Sequence, residues 1–548
     1  MSNKFIKGAM ILSLSMFLAR ILGLIYIIPF QSLVGPAGLA LYSYAYVPYN
    51  VLLSLATLGL PVGIAKFIAK YNAAGEYDTS RRMFRFGLRF MILLGVSCFI
   101  IMYAVAPTFA RIVIRGEGMY NTVEDVTMAI RMVSFAVIIV PSMSILRGFF
   151  QGNQDMTPTA ISQLVEQLIR ITIIVLGSFI IIRLLPNGTT QMAVNVSVFA
   201  AFVASVGSLI ILYRHWLKNK DTFDEQLMHS VPHRKRKIWP LFKELISYAL
   251  PFALLSLVVT WFQLIDTIMF NASMVRAGVS PTVVEEIFGI YSTSLLKIVM
   301  IPVSFAIAFS QPLMPIITEK IQIRDFRGFY QTMKSAITLT TFVTVPAVIG
   351  LGMLSNPIFI VLFNQSDAYM NQMGGMIFGY GSILGIFMAL NIILNAIMQG
   401  IGKQYKALGF LVIGILVKII GNFALIHFLT VRGAIFATVL AYTVCIILQL
   451  LEIRKVTRVK IKWLVKKQMA ILVFSLIMAI SVWIATIILN QMIDYSDSRL
   501  SATIYVAIAG LVGMLVYGFL IIYFDVAKGL FGAKLSYERI KGRILRKK

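Results

Sequence analysis

The chain has 548 residues, of which 59% are hydrophobic and 13% charged, with a mean hydropathy of +0.86 and a formal net charge of +27. That much apolar surface cannot be hidden inside soluble domains of ordinary size, so a soluble enzyme is excluded and the chain belongs in a bilayer. The alternating ten-residue segments of an outer-membrane barrel are absent, which leaves an all-α polytopic membrane protein, and 38 Gly and 28 Met suit its closely packed helices.

In chain order, apolar runs bounded by charged or Pro/Gly-containing turns predict spans near 9–34, 42–69, 86–114, 126–150, 159–185, 191–216, 245–271, 287–317, 329–362, 374–400, 406–430, 432–453, 464–490 and 499–525, about 14 transmembrane helices. Runs longer than 25 residues are expected to tilt, to bend at Pro48, Pro141, Pro302 or Pro346, or to include interfacial turns. The first run follows Lys4 and Lys7, as a signal peptide would, but it exceeds an ordinary signal core and is read as the first helix. Residues 217–244 form the longest hydrophilic linker, ending in Arg234-Lys235-Arg236-Lys237. The expected organisation is an N-terminal lobe over 1–216, the linker 217–244, a C-terminal lobe over 245–453, and two last helices with a basic tail over 454–548.

Short basic loops stay on the cytoplasmic side of a membrane. Of 49 Lys and Arg, 36 fall at the N-terminus and in 70–89, 214–244, 320–334, 403–406, 454–467 and the tail from Lys528; the alternate loops hold six. Both termini are therefore expected on the cytoplasmic side, and the positive charge reads as a topology signal. Spread over many loops without a recognisable module, it does not indicate nucleic-acid binding.

The two sides of the linker resemble each other. Ser144-Ile-Leu-Arg-Gly-Phe-Phe-Gln-Gly152 is matched 248 residues later by Ile392-Ile-Leu-Asn-Ala-Ile-Met-Gln-Gly400, which sets Arg170 against Lys418, and Leu24-Ile25-x-x-Ile28-x-Phe30 is echoed by Leu264-Ile265-x-x-Ile268-x-Phe270. Such a repeat predicts two six-helix lobes in pseudo-twofold arrangement with a substrate site between them.

An ionisable group at mid-bilayer costs about 2.5–3.5 kcal/mol on insertion scales, so it faces a partner or a cavity. Counted at the helical rise, Arg20 and Arg170 lie about 16 Å, and Lys418 about 18 Å, from the starts of their spans, and Lys297 about 15 Å from the outer end of its own. Arg147 is shallower, near the cytoplasmic face; Lys66 and Arg131 are read as snorkelling to the interface. Gln163, Glu166, Gln167 and Arg170 occupy one helix face, with Glu166 and Arg170 in the favourable acid-first i,i+4 order. Seven cations lie within the predicted spans against two clear acids, Glu166 and Asp266, and this surplus calls for an anionic ligand, most economically a phosphate or diphosphate. Asn391, Asn395 and Gln399 share a second polar face, near Lys418 and Asn422, suited to sugar or peptide groups or to interhelical hydrogen bonds.

The motifs of covalent chemistry are missing. No phosphate-binding P-loop occurs, Gly379, Gly381 and Gly385 lie inside a predicted span where glycine serves helix packing, and no nucleophile-base-acid set has candidates. Cys98 and Cys445 each sit in an apolar run and read as buried thiols, while His229 and His233 are separated by Pro232 in a charged loop. The expectation is a carrier and not an enzyme, with no metal and no cofactor, coupled to the membrane potential or to a monovalent cation.

The residues Ala19-Arg20-Ile21-Leu22-Gly23, Tyr44-Ala-Tyr-Val-Pro-Tyr-Asn50, and Arg147-Gly-Phe-Phe-Gln-Gly152 through Met156-Thr-Pro-Thr-Ala160 to Gln163-x-x-Glu166-Gln167-x-x-Arg170 resemble the MurJ/YtgP lipid II flippases of Gram-positive type. These belong to the multidrug/oligosaccharidyl-lipid/polysaccharide exporter superfamily, and SpoVB-like sporulation proteins are close to them. The resemblance spans essentially the whole chain. It implies a two-lobed MATE-like carrier that moves undecaprenyl-diphosphate-linked disaccharide-pentapeptide from the inner to the outer leaflet by alternating access. It further implies that helices thirteen and fourteen form a groove for the polyprenyl tail, that Arg20 and Lys297 fall on the family's cationic positions, and that cell-wall synthesis enzymes are partners. Where Gram-negative relatives carry an Arg-Asp pair, this chain reads Ile25-Tyr26, and Arg147 and Arg170 are the hypothesised substitutes. In this reading Arg20, Arg147, Arg170 and Lys297 bind the diphosphate, and Gln163, Glu166, Gln167, Asn391, Asn395, Gln399 and Lys418 line the site. Competing readings are a flippase for a teichoic, capsular or spore-cortex precursor, a cation-coupled drug exporter, and a membrane scaffold without transport.

Overall fold

The computed structural model describes residues 15, 18–19, 22–23, 25–57, 60–115, 118–231, 237–365, 367–457 and 462–524. Its elements are α1 (Ile27–Thr57), α2 (Leu60–Ala73), α3 (Tyr77–Val113), α4 (Val123–Gly152), α5 (Thr157–Leu184), α6 (Thr190–Lys218), α7 (Lys220–Met228), α8 (Ile238–Ser256), α9 (Val258–Arg276), α10 (Pro281–Gln322), α11 (Phe326–Met353), α12 (Ser355–Phe363), α13 (Ala368–Gly400), α14 (Gln404–Leu429), α15 (Val431–Thr457), α16 (Lys462–Asn490) and α17 (Arg499–Tyr523). Among the described residues 12 helices are long and apolar enough to cross a membrane, and these correspond to the predicted third through fourteenth spans. The second is divided between α1 and α2, and much of the first lies outside the described residues. The chain is an all-α, multi-pass membrane protein.

The predicted boundary between the first two spans needs refinement. α1 joins two helices across Gly35, whose backbone (φ 69°, ψ 177°) only glycine adopts readily, and Pro36 restarts the helix with its missing N–H at no cost. Three further irregularities matter for the site. π-helical turns occupy Ile173–Gly177 and Ile180–Leu184 in α5, and Ile290–Leu295 in α10. Arg170 lies three residues before the first of these and Lys297 two after the last.

By its contacts the chain divides into two compact units, residues 1–293 and 294–548, so the division falls inside the last π turn of α10. In the first unit an apolar core of Ile64, Ile68, Met83, Phe84, Phe149, Phe150 and Phe242 binds α2, α3, α4 and α8 together. The linker is not a free loop there. α7 folds back on this core: Arg81 ion-pairs with Asp224 at 3.0 Å and lies 4.5 Å from the centroid of the Trp216 ring, and Val231 N–H donates to Gly75 C=O. In the second unit α16 and α17 pack on α11 and α12 through Leu354, Met478, Val482, Tyr505 and Ala509.

The internal repeat has a physical counterpart in each unit. α4 ends in a left-handed residue, Gln154 (φ 62°), with Gln154 N–H donating to Gln151 C=O and Asp155 N–H to Phe150 C=O; α13 ends with Gly402 (φ 73°), bonded to Gln399, and Lys403 bonded to Met398. This is the same six-to-one, five-to-two helix stop, 248 residues apart. A Cβ on Gly152 would meet Ile68 Cβ at 2.7 Å and Ala65 O at 2.9 Å, and one on Gly400 would meet Ile317 Cβ at 2.7 Å and Met314 O at 3.0 Å. A second pair of stops, at Gly75 (φ 73°) and Arg324 (φ 55°), repeats at the same spacing within one residue. The shared Gln-Gly of the two motifs is thus a helix end held against a neighbouring helix too closely for any larger side chain.

Candidate functional site

α5 begins with Thr157 and Pro158, where proline's fixed φ favours the first turn, and its polar face then presents Ser162, Gln163, Glu166, Gln167 and Arg170. The predicted Glu166–Arg170 pair forms, with Arg170 Nη2 donating to Glu166 Oε1 at 2.7 Å. The other carboxylate oxygen is taken by Arg147, whose Nη2 donates to Glu166 Oε2 at 2.8 Å and to Ser208 Oγ at 2.8 Å, while its Nε donates to Ser162 Oγ at 3.1 Å. Glu166 therefore bridges two guanidinium groups from α4 and α5, with side-chain exposures of 14%, 15% and 22% for Arg147, Glu166 and Arg170. The triad carries one net positive charge. Arg147 spends three of its five donors, whereas Arg170 spends one, on Glu166, and among the described residues its buried Nε has no hydrogen-bond partner, so Arg170 is the member with more donor capacity left.

Arg170 faces three tyrosines, two of them in the Tyr44–Asn50 motif, that the sequence alone does not assign to it. Tyr42, Tyr46 and Tyr49 follow one another at i, i+4 and i+7 on α1, with Tyr42 and Tyr46 stacked 4.4 Å apart and Tyr46 and Tyr49 edge-on at 5.4 Å. All three are buried or half-buried and within electrostatic range of Arg170. The signal was the tyrosine spacing itself, which draws a stripe on one helix face. Beside this group the buried Gln163 Oε1 has no hydrogen-bond partner among the described residues, and Gln167 Nε2 would stand 3.1 Å from a Cβ on Gly23.

The remaining predicted residues are distributed differently. Arg20 lies outside the described residues. Lys297, half-buried, lies in the second unit, as do the buried Asn391, Asn395 and Lys418 and the half-buried Gln399. Asn395 Nδ2 donates to Asn391 Oδ1 at 2.9 Å, and Gln449 Nε2 donates to Asn395 Oδ1 at 2.9 Å, a buried amide chain between α13 and α15; Gln399 is half-buried at its end. Lys418 has no exposed surface and donates to Ala434 C=O at 3.0 Å and to Thr438 Oγ1 on α15. It is sealed in the α14–α15 contact, satisfied as a buried ammonium must be. Lys66 is exposed, and Arg131 lies 4.6 Å from the Tyr103 ring centroid. Cys98 and Cys445 are buried free thiols.

Sequence reasoning missed one acid. The helix containing the predicted eighth span starts at Pro281, six residues earlier than its apolar run, and so places Glu285 in it with no exposed surface. Asn121 satisfies that carboxylate, its backbone N–H donating to Oε2 at 2.9 Å and its Nδ2 to Oε1 at 3.1 Å. Asn271 Nδ2 donates to the nearby Tyr44 hydroxyl at 2.7 Å, and Asp266 accepts from Tyr291 at 2.8 Å. The acids within the spans are therefore more numerous than the two read from hydropathy.

The family model described as "Polysaccharide biosynthesis protein" matches residues 5–320, and that of "Lipid II flippase MurJ" matches residues 234–501. The lipid II flippase MurJ of Bacillus subtilis (strain 168) is 37% identical over 544 residues, covering 99% of each chain. Stage V sporulation protein B of the same organism is 24% identical over 469 residues, covering 84% of this chain and 85% of that protein. Among solved structures, an inward closed conformation of a lipid II flippase MurJ superposes with a TM-score of 0.66 at 16% identity, covering 94% of this chain and 99% of that one. An inward-facing MATE multidrug transporter of the MOP superfamily gives 0.66 at 19% identity, covering 84% and 99%. These structures share the fold, and the full-length identity to the Bacillus protein goes further: the chain belongs to the lipid II flippase MurJ family.

Proposed function

We propose that the protein is a lipid II flippase, moving the undecaprenyl-diphosphate-linked disaccharide-pentapeptide from the inner to the outer leaflet by alternating access. The observation that carries this reading is the 37% identity over the whole length of a lipid II flippase. The geometry supports it. A transported diphosphate needs a cation that is held in place yet has donors to spare, and Arg170 meets both conditions: Glu166 fixes one end of its guanidinium while Nε has no hydrogen-bond partner among the described residues. Arg147 acts as a positioning residue, holding Glu166 so that one carboxylate is shared by two cations. Arg20 and Lys297 are the further cations of the substrate path. The distribution of basic loops supports a cytoplasmic position for both termini, no cofactor is required, and translocation responds to the membrane potential, since one uncompensated charge crossing 100 mV is worth about 2.3 kcal/mol.

The test is complementation. In a bacterium depleted of its own lipid II flippase, expression of this chain restores label-accessible lipid II on the outer face, and Arg170→Ala at equal membrane abundance does not. Failure of the folded wild-type chain refutes the lipid II assignment. Equal activity of Arg170→Ala refutes the site.

A further inference from the structure

The second unit contains a cavity of about 600 Å³ that no part of the transport reading uses. α12 contributes Ser355 and Asn356, α13 contributes Tyr369, Gln372, Met373, Gly375, Met376, Gly379 and Tyr380, and α15 contributes Arg432. From Tyr369 to Tyr380 the wall covers eleven residues of helix, about 16 Å at the helical rise. The cleft therefore runs from the membrane face into the bilayer. It opens at the end of the unit opposite the basic loops 320–334 and 403–406, since it is built around the α12–α13 and α14–α15 turns. Gly375 leaves no room for a Cβ against Asn356, and Gly379 would place one 3.2 Å from Ser355 Oγ, so these glycines let α13 approach α12 and leave the amide and hydroxyl in the wall.

Arg432 is the unusual member. A guanidinium has five donors and pairs bidentately with carboxylates and phosphates. Here Nε and Nη2 reach only the Met376 thioether, at 3.2 and 2.9 Å, and the group lies 4.9 Å from the Tyr380 ring centroid. Thioether sulfur is a weak acceptor, and among the described residues Arg432 forms no ion pair. The side chain, which is exposed, is held on an aromatic face and a sulfur atom at the rim of the cavity, with no ion-pair partner among the described residues to use its anion-binding capacity. Ser355, Asn356 and Gln372 supply neutral donors and acceptors beside it, suited to hydroxyl groups next to an anion.

We propose that this cleft binds the phosphate of a lipid head group, Arg432 taking the phosphate oxygens and Ser355, Asn356 and Gln372 the adjoining polyol. Two lipids share that chemistry: a phospholipid with a glycerol head, and the lipid-linked glycan diphosphate once it has crossed. The binding stands independently of what is transported, whereas assigning it to the outer leaflet rests on the orientation proposed above.

The experiment measures lipid affinity of the full chain in detergent by native mass spectrometry, with phosphatidylglycerol, undecaprenyl-diphosphate-linked disaccharide-pentapeptide and, as a zwitterionic control, phosphatidylcholine. Each is titrated against wild type, Arg432→Ala, Arg432→Lys and Gly379→Leu, the last filling the cleft while leaving the arginine. The glycan-lipid titrations are repeated in an Arg170→Ala background to remove the central site. Expected is a loss of at least tenfold in affinity for an anionic lipid in Arg432→Ala and Gly379→Leu, a smaller loss in Arg432→Lys, and unchanged phosphatidylcholine binding, which also reports that the variants are folded. Loss confined to phosphatidylglycerol identifies a phospholipid site, and loss confined to the glycan lipid identifies a post-translocation substrate site. Affinities for both anionic lipids that match wild type in Arg432→Ala and Gly379→Leu overturn the proposal. A failed complementation with an intact phosphatidylglycerol result would sink the lipid II reading and leave this one standing.

Discussion

Replacing Glu166 by Gln tests whether the two arginines are held by one carboxylate. The variant keeps the shape of the side chain and one carbonyl acceptor but removes the charge that both guanidinium groups share at 2.7 and 2.8 Å. Hydrogen bonds to charged groups contribute about 1.5–3 kcal/mol each, and removing one partner of a buried pair costs about 3–5 kcal/mol. The side chains here retain 14–22% exposure, so water takes over part of the lost solvation. The expected destabilisation is about 3 kcal/mol. Unfolding of the purified chain in mixed micelles measures it, and a double-mutant cycle isolates its cause. In Glu166→Gln/Arg147→Met the second change removes a cation the first has orphaned, so the double variant is expected to lose at least 1 kcal/mol less than the sum of the singles. A single-variant effect under about 1 kcal/mol, or additivity within about 0.5 kcal/mol, would refute the bridging argument.

Three other expectations follow from the packing. Gly289→Ala places a Cβ against the Pro36 carbonyl, a backbone group that cannot move aside, and is expected to cost about 3 kcal/mol or abolish a monodisperse product, read by size exclusion and thermal unfolding. Arg81→Ala removes a guanidinium seated on Trp216; because Asp224 is 44% exposed, the aromatic contact dominates, at about 1–2 kcal/mol, and amide exchange across Lys220–Met228 should accelerate about tenfold, whereas unchanged exchange would mean that α7 docks by other contacts. Asp325 caps α11 through the Gly328 N–H at 2.8 Å and faces Lys320, and these hold its carboxyl below the ordinary carboxylate range. A depressed folded-state value stabilises above the unfolded pKa and is lost as pH falls through the folded one. Exchange at the start of α11 should therefore rise below about pH 4, and Asp325→Asn should abolish that acid dependence.

What was legible in the sequence followed from periodicity. The Glu166–Arg170 pair needs only the four-residue spacing of a helix, and the Gln-Gly repeat marked two helix stops that the structure builds alike. What was not legible lay in contacts between elements. Arg147 reads from sequence as a diphosphate-binding cation without an acid of its own, because its three acceptors sit 15 to 61 residues away on other helices. Glu285 was left out because hydropathy locates apolar runs, whereas its burial is created by Asn121, 164 residues distant. The linker read as hydrophilic because the apolar Trp216 and Phe223 that dock α7 are dispersed among charges. The tyrosine stripe was visible, but nothing in one helix says which cation its face will meet.

The π turn at Ile290–Leu295 changes what α10 can be. Bonds that skip five residues take up an extra residue in the turn, and each residue inserted into an α-helix shifts everything beyond it by about 100° around the axis. The two ends of α10 are therefore out of phase, and a helical wheel drawn straight through it assigns wrong neighbours to one end. Glu285 answers to the packing of the first unit and Lys297 to that of the second, within one continuous span. A single-residue deletion in 290–295 would turn the residues after it by about 100° about the helix axis, and so would carry Val299, Val303 and Ala306 out of the contacts in which they are now buried.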